Sequence, residues 1–347
     1  MAKVEFDVGL NILTQTAQGT LNTTVSGSTT IEESNGGVMG HPDAGEGRSG
    51  VSFTTSRGLI EKADATGSFT KQPSDFIREQ IESFSIAIPL KGNGGTADSP
   101  VTDGNITPLN GIDAILRALG LTGAGSGGTD TWVYTPNPAG VIYCTAKLFV
   151  GQTAFVLQDC VASGSIAFTP NGIGILTANF SVGSVQSFAE LAFPTSPAYG
   201  TQATLSAPAI TSVNHTWSTA RGFSDFTLTI DNGLETVGDS NQSVGTVDEQ
   251  TARTISASVT MYTDPADDDF EHGQLVLATA AGPTDLLSFT AGAAATAAGT
   301  VNGYTVKLTN PETRSITPRR LGNQLAYDVE LVAVETVPDT EFELVFI

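Results

Sequence analysis

Glu82-Ser83-Phe84-Ser85-Ile86-Ala87-Ile88-Pro89-Leu90 is the stretch whose reading decides the fold. Phe84, Ile86, Ile88 and Leu90 occupy alternate positions, with Ser85, Ala87 and Pro89 between them. A period of two gathers one set of side chains on one face of an extended strand, whereas a helix needs a period of 3.6. The same alternation returns far along the chain. Phe226, Leu228 and Ile230 alternate with Thr227 and Thr229, and Asp231-Asn232-Gly233 then supplies a turn. Tyr327, Val329, Leu331 and Ala333 share one face of another such run. Half-buried strands recurring across the chain predict a mainly β protein with antiparallel sheets.

Two segments carry helix signals instead. Thr107-Pro108 reads as an N-cap followed by proline at the first helical position. Leu109, Ile112, Ile115, Leu116 and Leu119 then form one apolar face, and Gly120 closes the end. Asp264-Pro265 opens a second helix in the same way, with Asp267, Asp268 and Asp269 in its first turn, where the helix dipole favours acid.

The two halves repeat each other at a spacing of roughly 170 residues, far longer than a solenoid period and so a domain duplication. Phe84, Ile86, Ile88 and Leu90 correspond to Ile255, Ala257, Val259 and Met261, and each run leads through a loop into one of the two helices. Tyr143 with Lys147-Leu148 is echoed by Tyr304 with Lys307-Leu308, and Ser165-Ile166 with Thr169-Pro170 by Ser315-Ile316 with Thr317-Pro318. The expected division is an N-terminal arm over 1–50, a first β-barrel or sandwich domain over 51–192 and a linker over 193–208 containing Phe193-Pro194-Thr195-Ser196-Pro197. A second such domain follows over 209–336 and a C-terminal arm over 337–347. Each domain is expected to carry one flanking helix.

Composition narrows the class of function. Of the 347 residues, 15% are charged, against the ~25% usual for soluble domains. Gly, Ser, Thr and Ala stand in their place, as on a surface covered by copies of itself or on a loop-rich β protein with an uncharged exterior. The charge present is acidic, 36 Asp and Glu against 15 Lys and Arg, for a net of −21. Sequence-independent DNA binding rests on Lys and Arg, so such a chain does not grip DNA, and an acidic wall repels phosphate. Met1-Ala2-Lys3-Val4-Glu5-Phe6 is not followed by the apolar core of a secretory signal, and no apolar run approaches the ~20 residues of a membrane helix. The expected place of synthesis is the cytoplasm.

No constellation of catalytic residues emerges, so an enzyme is not expected, and no catalytic, cofactor-binding or metal-binding residue is assigned. His41, His215 and His272 are isolated from any nucleophile or ligand cluster. Asp264, Asp267, Asp268, Asp269 and Glu271 lack the central glycine of a calcium loop, and helix capping accounts for them better. Gly92-Asn93-Gly94-Gly95 and Gly123-Ala124-Gly125-Ser126-Gly127-Gly128 read as flexible loops rather than phosphate cradles. Cys144 and Cys160 lie in two strands joined around Gly151-Gln152-Thr153, and a three-residue turn would set them opposite each other. A cross-strand disulfide is then open, although cytoplasmic synthesis favours two reduced thiols. Trp132 and Trp217 read as core residues.

In pattern and order the chain resembles the tail tube (major tail) proteins of long, non-contractile-tailed bacteriophages, in their large two-domain form. The likeness is carried by the strand and helix from Glu82-Ser83-Phe84 to Ile112-Asp113-Ala114-Ile115-Leu116-Arg117-Ala118-Leu119-Gly120-Leu121. Trp132-Val133-Tyr134-Thr135-Pro136 before a hairpin series and the strands about Phe168-Thr169-Pro170-Asn171-Gly172 add to it. The likeness covers most of residues 50–190 and, more loosely, 205–336. It implies β-barrels that surround a lumen six to a ring, so that three two-domain chains would make a trimeric ring with pseudo-sixfold symmetry. Rings would stack into the virion's tail tube, with DNA passing through without specific binding. It implies tape measure, tail terminator and distal tail proteins as partners, no cofactor and no membrane. The arm 1–50, the loop 92–106 and the tail Val337 to Ile347, which ends in the apolar alternating run Phe342-Glu343-Leu344-Val345-Phe346-Ile347, are then candidates for tying ring to ring. The alternative is a capsid decoration protein or adhesin built of tandem immunoglobulin-like domains, which would lack the capped helix after a central strand.

Overall fold

The computed structural model describes residues 8–38, 50–60, 75–90, 110–125, 132–168, 174–194, 210–215, 223–238, 246–262, 286–291, 303–309, 311–334 and 339–346. The strands are β1 (Val8–Thr14), β2 (Gly37–Val38), β3 (Val51–Ile60), β4 (Asp75–Pro89), β5 (Leu121–Gly125), β6 (Trp132–Pro136), β7 (Cys144–Val150), β8 (Thr153–Phe168), β9 (Ile175–Glu190) and β10 (Ile210–His215). They continue as β11 (Phe223–Asp231), β12 (Leu234–Gly238), β13 (Thr246–Gln250), β14 (Thr254–Tyr262), β15 (Leu286–Ala291), β16 (Tyr304–Thr309), β17 (Pro311–Leu321), β18 (Gln324–Ala333) and β19 (Phe342–Phe346). Two α-helices stand among them, α1 (Thr23–Ser26) and α2 (Asn110–Ala118). The protein is mainly β.

The alternating runs build one long antiparallel sheet in the order β3-β4-β9-β8-β11-β14-β18-β17, from which β7, β1 and β2 branch beside β8. Registry stacks the apolar positions of neighbouring strands into rows. Ile88, Leu176, Ile166, Leu228, Ala257 and Leu331 oppose one another across six strands, and all are buried. In a nearby row Phe84 stacks on Phe180 with ring centroids 4.5 Å apart and planes 5° from parallel. Burying such rows at about 25 cal/mol per Å² of apolar surface is the main force holding the sheet to what lies beneath it.

Beneath it lies a six-stranded sheet, β10-β15-β16-β19-β6-β5, and the two sheets enclose one continuous hydrophobic cluster. Helix α2 buries Ile112, Ile115 and Leu116 in that cluster. Gly120, as expected, follows the helix in the left-handed region at φ 77° and donates its N–H to the Arg117 carbonyl. Thr107, Pro108 and Leu109 lie outside the described residues, as do the expected helix from Asp264, the loop 92–106, Thr169-Pro170 and Thr195–Pro197 of the linker.

Three readings of the sequence differ from the fold. Residues 8–38 of the expected N-terminal arm are packed: β1 pairs along its whole length with β7, and Leu10 and Ile12 are fully buried. Asn11 is buried too, its side-chain N–H groups donating to the Ser28 hydroxyl and the Thr30 carbonyl of the returning loop. Gly, Ser and Thr looked like an arm because their local signals are turn signals, while β1's partner lies more than a hundred residues away. The expected C-terminal arm is an interior strand. β19 sits between β16 and β6, and Phe342, Leu344 and Phe346 are buried. Gly123-Ala124-Gly125, read as loop, belongs to β5; a Cβ on Gly123 would come within 2.5 Å of Trp132 Nε1 and 2.7 Å of the Tyr134 ring, so glycine lets the aromatic pair lie against the strand.

The long sheet runs the same strand order twice. β3-β4-β9-β8 and β11-β14-β18-β17 follow one pattern in space and in sequence: first strand, second, last, third. The register supports the equivalence of Ser165-Ile166 and Ser315-Ile316, since Ile166 opposes Leu176 in β9 as Ile316 opposes Val329 in β18. The echo of Tyr143 and Lys147 in Tyr304 and Lys307 does not extend to position, because β7 lies in the long sheet and β16 in the smaller one. Both sheets also join strands from segments 51–192 and 209–336, through β8·β11 in one and β6·β19·β16 in the other.

Candidate functional site

Successive side chains point to opposite sides of a strand, so the face opposite the apolar rows carries rows of its own, and stretches of four of them are polar. Ser52, Ser85, Asn179 and Ser163 form one such row. Thr177, Ser165, Thr229 and Ser256 form another, and Thr227, Ser258, Glu330 and Ser315 a third. Asp225, Thr260, Asp328 and Thr317 make the fourth. The side chains are short and mostly satisfy one another. Ser52 and Ser85 hydroxyls lie 2.6 Å apart, Ser315 donates to Glu330 Oε2 at 2.8 Å, and the Thr260 hydroxyl stands 2.6 Å from Asp328 and 3.1 Å from Asp225.

The electrostatics of this face are one-sided. Asp225, Asp328 and Glu330 supply its negative charge, and Arg319 reaches Asp328 from the edge at 3.5 Å with half its side chain exposed. Among the described residues these four rows hold no aromatic ring on which a base could stack and no line of cations for phosphates; Tyr262 and Arg319 lie beyond them on the same face of β14 and β17. These rows are polar and acidic and built largely of short side chains.

Its two ends differ from its middle. Each interior strand has neighbours on both edges, but among the described residues β3 is hydrogen-bonded only to β4 and β17 only to β18. Exposed edges of this kind invite further strands. Ile316 and Phe53, on these end strands, are half-buried, whereas Ile166 and Ile230 at the corresponding interior positions are fully buried.

The scaffold behind the face is rigidly tied. Asp113 on α2 accepts from Arg117 Nε at 2.7 Å and from the Tyr134 hydroxyl at 2.6 Å, which pins the helix to β6. Burial first, and the Asp113 charge second, raise the Tyr134 phenol far above its ordinary range. The chain's last strand is fastened in a similar way: Arg253 donates to Asp339 at 2.8 Å and to Glu341 at 3.1 Å, and Lys307 to Glu343 at 2.9 Å. These Arg253 contacts border a polar cleft of about 530 Å³ lined by Asn137, Gly140, Gln250 and Asp339, so its guanidinium is already engaged by carboxylates.

Cys144 and Cys160 do oppose each other, but not for the expected reason. The turn is two residues, with Val150 opposite Thr153, and a bulge restores the facing pair. Asp159 supplies that bulge with φ 54° and accepts the Gly19 N–H at 2.8 Å. Both cysteines are free thiols, buried, with pKa values driven upward chiefly by burial, which makes them poor nucleophiles. Among the described residues no three His, Cys, Asp or Glu side chains gather in a way that could hold a metal ion. His215 lies in β10, while His41, His272 and the acidic run from Asp264 to Glu271 fall outside the described residues, as do Gly92–Gly95 and Trp217. Trp132 packs half-buried against the core. Among the described residues no helix is long and apolar enough to cross a membrane. The sequence reading missed the polar rows as a unit, although the Ser and Thr between the apolar positions were their signal. No protein-family model matches the chain, and no curated protein matches it.

Proposed function

We propose that this chain is a structural subunit that assembles into rings, that the rings stack into a hollow tube, and that the acidic hydroxyl face of the long sheet lines the lumen as a conduit for DNA. The observation that carries the reading is the doubled strand order with an edge at each end that, among the described residues, has no partner strand. A sheet whose two halves repeat and whose termini are open is suited to continuation from one copy to the next, and a head-to-tail contact of this kind closes into a ring when its rotation closes. The polar face supports the conduit role, since hydroxyls and carboxylates hydrate well and give phosphates no cation to hold. The resemblance to phage tail tube proteins supplies the setting: a trimeric ring with pseudo-sixfold symmetry in the virion tail, with tape measure, tail terminator and distal tail proteins as neighbours. Helix α2, which follows the internal strand β4, favours this setting over tandem immunoglobulin-like modules of a decoration protein or adhesin.

Electron microscopy of the concentrated, purified protein tests the proposal directly. Stacked rings or tubes with a central channel are expected. Compact monomers across all concentrations and salts would overturn it.

A further inference from the structure

The long sheet contains, inside one chain, a junction between its two four-strand sets. β8 closes the first set and pairs antiparallel with β11, which opens the second, so that Ile166 opposes Leu228 and Ser165 opposes Thr229. β17 is the counterpart of β8, and β3 is the counterpart of β11. Registers fix the correspondence residue by residue. Ile316 opposes Val329 as Ile166 opposes Leu176, and Val51 opposes Ile86 as Leu228 opposes Ala257. Neither β17 nor β3 has, among the described residues, the neighbour that its counterpart has.

We propose that β17 of one copy pairs with β3 of the next in the register that β8 and β11 use within the chain, setting Ile316 opposite Val51 and Ser315 opposite Ser52. This rests on the ring-forming reading and specifies its contact.

Three independent features fit. All eight strands alternate in direction, so the strand added beyond β17 runs antiparallel to it, as β3 would. Chemistry matches row by row. The apolar row Val259–Val329–Ile316 runs on into Val51–Ile86–Ala178, and the polar row Ser258–Glu330–Ser315 into Ser52–Ser85–Asn179. A slip of one residue would turn every side chain of the incoming strand to the wrong face, so the alternation excludes odd shifts, and the β8·β11 junction supplies the register among the even ones. Finally, Ile316 and Phe53 are only half-buried where their interior counterparts Ile166 and Ile230 are fully buried, a deficit an added strand would fill, while Val51 is already buried within the chain. Irregularities flank the paired residues: Arg314 is an exposed extra residue at the register shift between Thr313 and Ser315, and β3 shifts against β4 between Thr54 and Thr55 and between Arg57 and Leu59. Because β17 and β3 are different surfaces, the contact is heterologous, and each copy donates one edge and receives another.

Cysteine pairing tests the contact. Ser52→Cys and Ser315→Cys are made separately and together, each checked by circular dichroism, and oxidised by oxygen with a copper–phenanthroline catalyst. Facing cysteines with Cβ atoms about 4 Å apart form a disulfide readily. Crosslinked dimer is expected when the two single variants are mixed and not from either alone. The double variant should give a ladder that stops at the number of copies per ring. Rings that assemble but crosslink only at a shifted position, or not at all, would overturn this pairing while leaving the conduit reading intact. Monomers alone, in wild type as well, would overturn both. If a cysteine variant misfolds, amide exchange of the wild-type protein decides: among residues 51–54 and 312–317, the alternate backbone N–H groups that face away from β4 and β18 must gain protection on assembly, and their failure to do so would refute the pairing.

Discussion

Tyr304 is a side chain whose position makes sense only in three dimensions. Its phenol oxygen accepts the Gly174 N–H at 3.0 Å, and a Cβ on Gly174 would collide with the Tyr304 hydroxyl. Tyr304→Phe leaves that N–H unpaired in the core and should cost about 1–3 kcal/mol, read as a lower urea midpoint. Burial also pushes the Tyr304 phenol up to about 12 from its ordinary 10.0. A folded-state pKa above the unfolded one means the unfolded chain loses its proton first, so this contribution is whole below pH 10 and disappears as pH rises through about 12. Urea midpoints measured across that window should fall in the wild type and fall less steeply in Tyr304→Phe. Tyr134, raised in the same direction, keeps part of the slope. The facing of Cys144 and Cys160 teaches the same lesson as Tyr304. Counting residues across a hairpin gave the right neighbours through the wrong turn, because a bulge at Asp159 leaves no local mark in the sequence.

At the scale of elements, α2 sets propensity against packing. Gly111 is a poor helix former, and alanine in its place gains about 1 kcal/mol in an exposed helix. Here a Cβ would strike the Val38 side chain and approach the Gly36 carbonyl to 2.5 Å, where the helix rests on the chain entering β2. Overpacking costs typically 1–3 kcal/mol, so Gly111→Ala should lower the thermal midpoint; a rise would mean that the contact relaxes freely. β19 offers the larger effect. Leu344 is fully buried and opposes Val306 on one side and Tyr134 on the other. Leu344→Ala should cost about 2–5 kcal/mol by transfer and cavity terms together. Because β19 joins β16 to β6, the loss should appear as one shifted urea transition followed by both tryptophan fluorescence and circular dichroism. Two separate transitions would show that the strand does not couple the segments it touches. The alternation of Phe342, Leu344 and Phe346 made the strand legible, and its place between two edges from opposite halves was not.

For the whole molecule, the decisive property is the split of the long sheet into a dry face and an acidic, hydroxyl-rich one. Replacing Asp328 and Glu330 together by lysine would exchange carboxylates for cations on the polar face at no cost to the core rows. Assembled tubes of that variant should retain DNA and slow its passage, with the retention falling steeply as salt rises. Wild-type tubes should show neither effect. Passage unchanged by the substitution would place the acidic face somewhere other than the lumen. Much of this arrangement was written locally. Period-two alternation at Phe84–Leu90, Phe226–Ile230 and Tyr327–Ala333 determined the strands, their buried faces and the mainly β class, because a strand's facing depends only on residue parity. The apolar face of α2 and the turn at Asp231-Asn232-Gly233 were equally local, the latter held by Asp231 accepting the Gly233 N–H at 3.0 Å. The tertiary structure alone decided which strands are neighbours: β1 with β7, β8 with β11, and β19 between β16 and β6. Those choices depend on edges brought together from distant parts of the chain, and an edge offers the same N–H and C=O groups whatever its sequence, so pairing is set by how the rows of side chains pack.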